Sequence, residues 1–276
     1  MPEHDVVVAL SNPANVARLV RLGCLIANEF EGTVVGATVV TVNQKLDPDD
    51  ASPDRMGKAN DLLAAAEAIA DEMGSRFEGR LALSRGIGEV LDEIAEAHNA
   101  KAIIMGYSER QHPSGDRDFE RVIDDVAAHA PCNLVVARFD DEGESYRKVL
   151  VPVARRLNMD VRRDLVTALR NQAEAQVELV HFARDADEAE GTREDLEDWT
   201  VERGVDGWVT ARVDIHEDPK QAIVDACRDY DAVVLGTPPL QTLRRRLFGS
   251  IPEFVAENAD CTTLLVRQHE GLRDYR

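Results

Sequence analysis

The sequence predicts an α/β protein made of two tandem, doubly wound parallel-sheet domains. They are Rossmann-like, with strand order 3-2-1-4-5, and are expected to pack as a pseudo-twofold pair. Three observations lead there. The chain has 276 residues, enough for two domains of ordinary size. It repeats itself once. Within each repeat, short apolar runs alternate with amphipathic helical stretches, the signature of parallel strands joined by crossover helices.

The repeat is visible at three places. Ala102-Ile103-Ile104-Met105-Gly106 returns as Ala232-Val233-Val234-Leu235-Gly236, 130 residues on. His129-Ala130-Pro131-Cys132 with Leu134-Val135-Val136-Ala137-Arg138 returns, 129 on, as Asn258-Ala259-Asp260-Cys261 with Thr263-Leu264-Leu265-Val266-Arg267. Val6-Val7-Val8-Ala9-Leu10 matches Val149-Leu150-Val151-Pro152-Val153, 143 on. The surplus in the first repeat fits the polar stretch Gln44 to Lys58, read as an exposed loop. Asp140 to Ser145 is charged and lacks apolar anchors, so domains of 1–139 and 146–276 are expected.

In the first repeat a strand is expected at 5–10. Asn12 then offers a helix cap and Pro13 the first helical position. Val16, Leu19, Val20, Gly23, Ile26 and Ala27 make one apolar stripe on that helix. A valine-rich strand at 33–42, a helix at 54–73, a strand at 80–83 and a helix at 87–98 follow. A strand at 102–105, a helix after 119 and a strand at 134–137 complete the repeat. The second repeat places strands at 148–153, 177–181, 208–213, 232–235 and 263–266.

Composition narrows the function. Fifty-two acidic residues oppose 32 basic ones, a net charge of −20. Such a surface repels phosphate backbones and anionic lipid, which argues against nucleic-acid partners. Only five of the 32 basic residues are lysine. Many acids, little lysine and few aromatics suit very high salt, so a halophilic, haloarchaeal source is expected, with an ordinary acidic cytoplasmic protein as the alternative. The four cysteines form no CxxC pair, and the seven histidines show no HxxxH or HExxH spacing, so no metal is expected. The cysteines read as reduced and mostly buried. No apolar run approaches a membrane span and the N-terminus is polar, so a cytoplasmic location without membrane insertion is expected. Trp199 and Trp208 read as packing residues.

The candidate site is the loop that leaves the fourth strand of repeat two. It runs from Gly236 and Thr237 through Arg244, Arg245 and Arg246 to Gly249 and Ser250. Doubly wound folds bind ligands beyond the carboxyl ends of their strands. Gly249 permits close backbone approach, Ser250 can bond an anion, and the following helix start offers free amides. The arginine triplet adds charge beside the end of the first strand, Val153 and Ala154, where Arg155 and Arg156 also stand. A turn with a helix cap, and a solvated arginine face, are the alternative readings of the same residues.

With Gly236 and Gly249-Ser250 from a family frame of the form G-x-x-G then G-[S/T], and the closing element His129-Ala130-Pro131-Cys132-Asn133-Leu134-Val135-Val136-Ala137-Arg138, the chain resembles a tandem universal stress protein. The resemblance spans 4–138 and 147–267. It implies a regulatory or stress-response role and, for its ATP-binding branch, a phosphate-wrapping loop with an aspartate after strand one. Here Pro239 replaces the second glycine of repeat two and Ala154 follows Val153 where the aspartate is expected. In repeat one Glu109 and Phe119-Glu120-Arg121 replace the loop pattern. ATP or another adenine nucleotide, or a smaller anion, is therefore expected in repeat two at most, and no family-type ATP site in repeat one. Leu10-Ser11-Asn12-Pro13-Ala14-Asn15-Val16 also resembles the universal-stress-type cytoplasmic tails of prokaryotic amino-acid permeases and cation–chloride-type transporters. That resemblance implies an interaction module without nucleotide, partnered by a membrane transporter or signalling protein. No nucleophile–base pair is present, so an enzyme is not expected; a weak ATP hydrolase would need charge-stabilising groups that do not assemble here. An intramolecular domain pair is expected, with a homodimer as a further possibility.

Overall fold

The computed structural model describes residues 4–41, 53–107, 117–140, 145–153, 160–202, 207–237 and 250–269, with the side chains of 117–121 and 160–162 left aside. The chain divides into two compact units, Met1–Ala137 with Arg267–Arg276, and Arg138–Val266.

The first unit runs β1 (Val6–Ala9), α1 (Pro13–Glu29), β2 (Thr33–Thr41), α2 (Pro53–Glu72), β3 (Arg76–Ser84), α3 (Ile87–Ala97), β4 (Ala102–Gly106), α4 (Arg117–His129) and β5 (Asn133–Arg138). Pairing is parallel throughout, in the order β3-β2-β1-β4-β5. Val6, Val7 and Val8 are wholly buried, as a strand covered on both faces requires. Asn12 Oδ1 accepts the Ala14 amide at 3.0 Å and Pro13 opens α1, so the expected cap is realised. The whole predicted stripe of α1 is buried. Gly23 seats the helix on the sheet: a Cβ there would stand 2.7 Å from Val8 Cγ2.

The second unit runs β6 (Lys148–Pro152), α5 (Asp160–Ala173), β7 (Gln176–Ala183), α6 (Ala186–Glu202), β8 (Val209–Ile215), α7 (Pro219–Ala226), a 3-10 turn (Cys227–Asp229), β9 (Ala232–Gly236), α8 (Ser250–Asn258) and β10 (Thr262–Arg267). Its order is β10-β9-β6-β7-β8, again all parallel. Counted within the repeat, both units have the expected 3-2-1-4-5 order. The repeat extends to the register: Val6 pairs Val34 as Val149 pairs Val177. Even the strained turn before the second strand recurs, with Glu31 and Glu174 at φ of 57° and 55°.

Several boundaries differ from the sequence reading. β3 begins at Arg76 rather than 80, because its pairing with β2 continues from Thr33↔Arg76 to Thr41↔Ser84. Backbone pairing extends a strand whose half-exposed side chains leave no apolar run to read. β8 begins at Val209 and ends at Ile215, one and two residues later than expected. The stretch expected as a loop to Lys58 is helical from Pro53. There Lys58 pairs Asp54 at 3.0 Å one turn apart, and Arg55 Nη1 donates to the Thr41 carbonyl at 2.7 Å. Residues 44–52 and most of the expected linker, 141–144, lie outside the described residues.

Candidate functional site at the carboxyl ends of the strands

In the first unit the carboxyl ends of β1, β2 and β4 frame a cavity of about 430 Å³. Leu10, Leu19, Ala37 and Val39 give it apolar walls; Ser11 and Asn15 bring polar groups. The Leu10 amide donates to the Ala37 carbonyl at 2.8 Å, carrying strand pairing one residue past β1 and into the wall. Gly106 ends β4 at the rim, and the Tyr107 amide donates to the Ala137 carbonyl at 2.7 Å. Every described residue lining this cavity is uncharged. Glu109 lies outside the described residues, and Phe119-Glu120-Arg121 falls inside α4.

In the second unit, two of the predicted site residues, Val153 and Gly236, stand at neighbouring strand ends. β6 pairs β9, so Val153, which follows β6, and Gly236, which ends β9, stand at the same end of the sheet. Val153 is buried and its amide donates to the Val180 carbonyl at 2.8 Å. The Thr237 amide donates to the Val266 carbonyl at 3.0 Å, while its buried hydroxyl has no partner among the described residues. Ser250 is exposed as the first residue of α8. Ala154, Arg244, Arg245, Arg246 and Gly249, with Arg155, Arg156 and Pro239, lie outside the described residues.

One residue here escaped the sequence reading. His181 is buried in β7, and its Nδ1 donates to the Val153 carbonyl at 2.8 Å. Its Nε2 lies 3.4 Å from Glu188 Oε1, without hydrogen-bond geometry. The Arg184 amide, donating to Glu188 Oε2 at 3.0 Å, holds the Glu188 carboxyl below its ordinary range, and His181 adds to the effect. The imidazole thus ties the end of β6 to the start of α6 through side chains. A histidine inside Val-Glu-Leu-Val-His-Phe-Ala was the only available signal.

Next to the first-unit cavity, Ile87 and Leu91 of α3 form part of its wall, and Asp92 follows. Burial lifts the Asp92 carboxyl to about 6; His129 opposes the rise, and Asp125 and Glu96 add to it. Its Oδ1 has no hydrogen-bond partner among the described residues. The four cysteines are free and buried; burial raises the Cys24 thiol and pushes that of Cys132 to about 12. Among the described residues no cluster of His, Cys, Asp or Glu side chains has the makings of a metal site. Among them, too, no helix is long and apolar enough to cross a membrane.

The model of the universal stress protein family matches residues 4–138 and 145–267. The crystal structure of a universal stress protein from Archaeoglobus fulgidus superposes with a TM-score of 0.67 at 16% identity, covering 98% of each chain. The cytoplasmic domain of a prokaryotic cation chloride cotransporter superposes with a TM-score of 0.66 at 12% identity, covering 98% of this chain and 97% of that one. At these identities the likeness shows the fold. In sequence, the Na(+)/H(+) antiporter NhaS5 of Synechocystis sp. is 23% identical over 252 residues, 89% of this chain. The chain spans about a third (35%) of the antiporter's length.

Proposed function

The chain belongs to the universal stress protein family, and from that premise we propose that it is a non-enzymatic regulatory module serving a membrane cation transporter. The observation that carries this reading is the 23% identity to an antiporter over 89% of the chain. A match that runs through both repeats treats the tandem pair as one exchangeable part. The fold likeness to a cotransporter's cytoplasmic domain, again across both repeats, supports the same reading. The test is cross-linking of the tagged chain in membranes of the source organism, followed by solubilisation, capture and peptide identification. A cation transporter cross-linked to either repeat is the expected result. Recovery of soluble proteins alone contradicts the reading.

A second reading concerns the input that such a module senses. We propose one nucleotide or anion site per chain, in the second repeat, formed by Gly236, Thr237, Arg244, Arg245, Arg246, Gly249 and Ser250 beside Val153 and Ala154. Its support is the buried Thr237 hydroxyl, which has no partner among the described residues and stands where the fourth strand delivers its loop. An adenine nucleotide is the ligand class that the family resemblance suggests. Titration calorimetry with ATP in molar KCl tests it. Saturation at one nucleotide per chain is expected, and Thr237→Val is expected to weaken it by about tenfold, the worth of one hydrogen bond to a charged group. Two sites per chain, or an unchanged affinity in the variant, would count against this reading.

A further inference from the structure

At the opposite end of the second unit's sheet a cleft of about 800 Å³ opens among the amino ends of β6, β7 and β8. Lys148, Gln176 and Val209 begin those strands and line it, so it is separate from the carboxyl-end site. Ala175, Val177 and Val209 are buried beneath it, while Trp208 and Tyr230 are half-buried in its walls. The Tyr230 hydroxyl donates to Glu178 Oε2, which fixes the ring. Glu178 Oε1 accepts from Arg212 Nε at 2.7 Å, so this inner carboxylate is already neutralised.

Among the described residues, Arg170, half-buried, and Lys148, Glu174 and Asp229, exposed at the rim, make no side-chain ion pair or hydrogen bond. In a chain with 20 excess acids, a half-buried arginine with no carboxylate partner among the described residues needs a reason. Arg170 stands in the last turn of α5, where a cation offsets the helix's carbonyl end. That role does not require two aromatic walls beside it.

The first unit supplies an internal control. The shared register equates Arg170 with Ala27, Glu178 with Val35, Trp208 with Arg76 and Tyr230 with Ala100. In the first unit Ala27, Val35 and Ala100 are buried core. Arg76 Nη2 reaches back to the Glu31 and Gly32 carbonyls across the turn. In the second unit the same four positions carry a guanidinium, a carboxylate, an indole and a phenol around open space. One backbone has thus been filled in one copy and furnished in the other.

We propose that this cleft is a ligand site for a small zwitterion. The ligand's carboxylate meets Arg170, and its ammonium lies on the Trp208 face against the rim acids Glu174 and Asp229. The chemistry is matched at each end. A guanidinium takes a carboxylate, and an indole face takes an alkylated ammonium. A zwitterion has no net charge, so the field of −20 does not repel it as it would an anion. Neither does it leave Arg170 unanswered, as a simple cation would.

Glycine betaine and two shape-matched analogues test this. Choline lacks the carboxylate; 3,3-dimethylbutyrate lacks the positive charge. The full chain has two tryptophans, so Trp199→Phe leaves Trp208 as the reporter of binding by fluorescence. Calorimetry on the unaltered chain repeats the comparison without any substitution. Betaine is expected to saturate, with each analogue at least about tenfold weaker. Arg170→Gln is expected to bring betaine down to the level of choline, and Asp229→Asn to narrow its margin over dimethylbutyrate. The proposal fails if betaine does not saturate, if either analogue binds as well, or if Arg170→Gln binds betaine unchanged while keeping the native circular dichroism. Saturating ATP should leave the betaine affinity unchanged if the two ends of the sheet are separate sites.

Discussion

Asp92 is an acid held where its charge is poorly supported. Its carboxyl titrates near 6, chiefly because burial disfavours the ionised form. A raised acid binds its proton more tightly folded than unfolded. Its contribution to stability is therefore full below the unfolded value and is lost as pH rises through about 6. The carboxyl is only half-buried, so solvent screening reduces the full linkage value, and Asp92→Asn should gain about 1 kcal/mol at pH 7.5. The same substitution should gain far less at pH 4, where the folded carboxyl is protonated and the unfolded one only about half ionised. Urea unfolding at the two pH values measures the difference; an equal gain at both would contradict the assignment. Residue-scale legibility was uneven. Asn12 and Pro13 announce their helix start because the cap is a local rule. His181 could not be read, since its meaning comes from a carbonyl 28 positions away that only strand register brings within 2.8 Å.

At the scale of elements, the alternation of apolar strands and amphipathic helices was legible, and so was the strand order. Continuous valine runs mark strands buried on both faces, and parallel crossovers leave few topologies to consider. Edge strands were less legible. β3 and β8 flank only one neighbour each, so their exposed side chains break the apolar signal that pairing itself does not need. The amino-end cleft was invisible for a similar reason: Arg170, Trp208 and Tyr230 come from three separate elements. The turn from α1 into β2 gives a prediction at this scale. A Cβ on Gly32 would lie 2.0 Å from the His4 carbonyl oxygen, and backbone cannot swing aside as a side chain can. Gly32→Ala should cost roughly 1–3 kcal/mol by overpacking, read as a lowered urea midpoint. Ala175 holds the equivalent position in the second unit, so Ala175→Gly there should cost less than Gly32→Ala. A neutral Gly32→Ala would mean that β1 and the turn do not approach so closely.

For the whole molecule, charge and repetition set the behaviour. A net −20 repels itself, and at molar salt the screening length falls to about 3 Å. Raising KCl from about 0.1 M to about 2 M should therefore raise the melting temperature by several degrees, and sodium chloride should act alike if screening is the cause. A melting temperature that falls with salt would contradict this. The family was legible from the whole chain, because the closing element and the repeat are linear patterns. The ligand was not, because residues at separate strand ends, such as Val153 and Gly236, are brought together only by strand pairing. The claim that the tandem repeat works as one regulatory part of a cation transporter is tested most directly by cross-linking the chain in its own membranes and sequencing the joined peptides. Cross-links from either repeat to a cation transporter are predicted. Cross-links confined to soluble proteins, with the transporter fraction unlabelled, would contradict it.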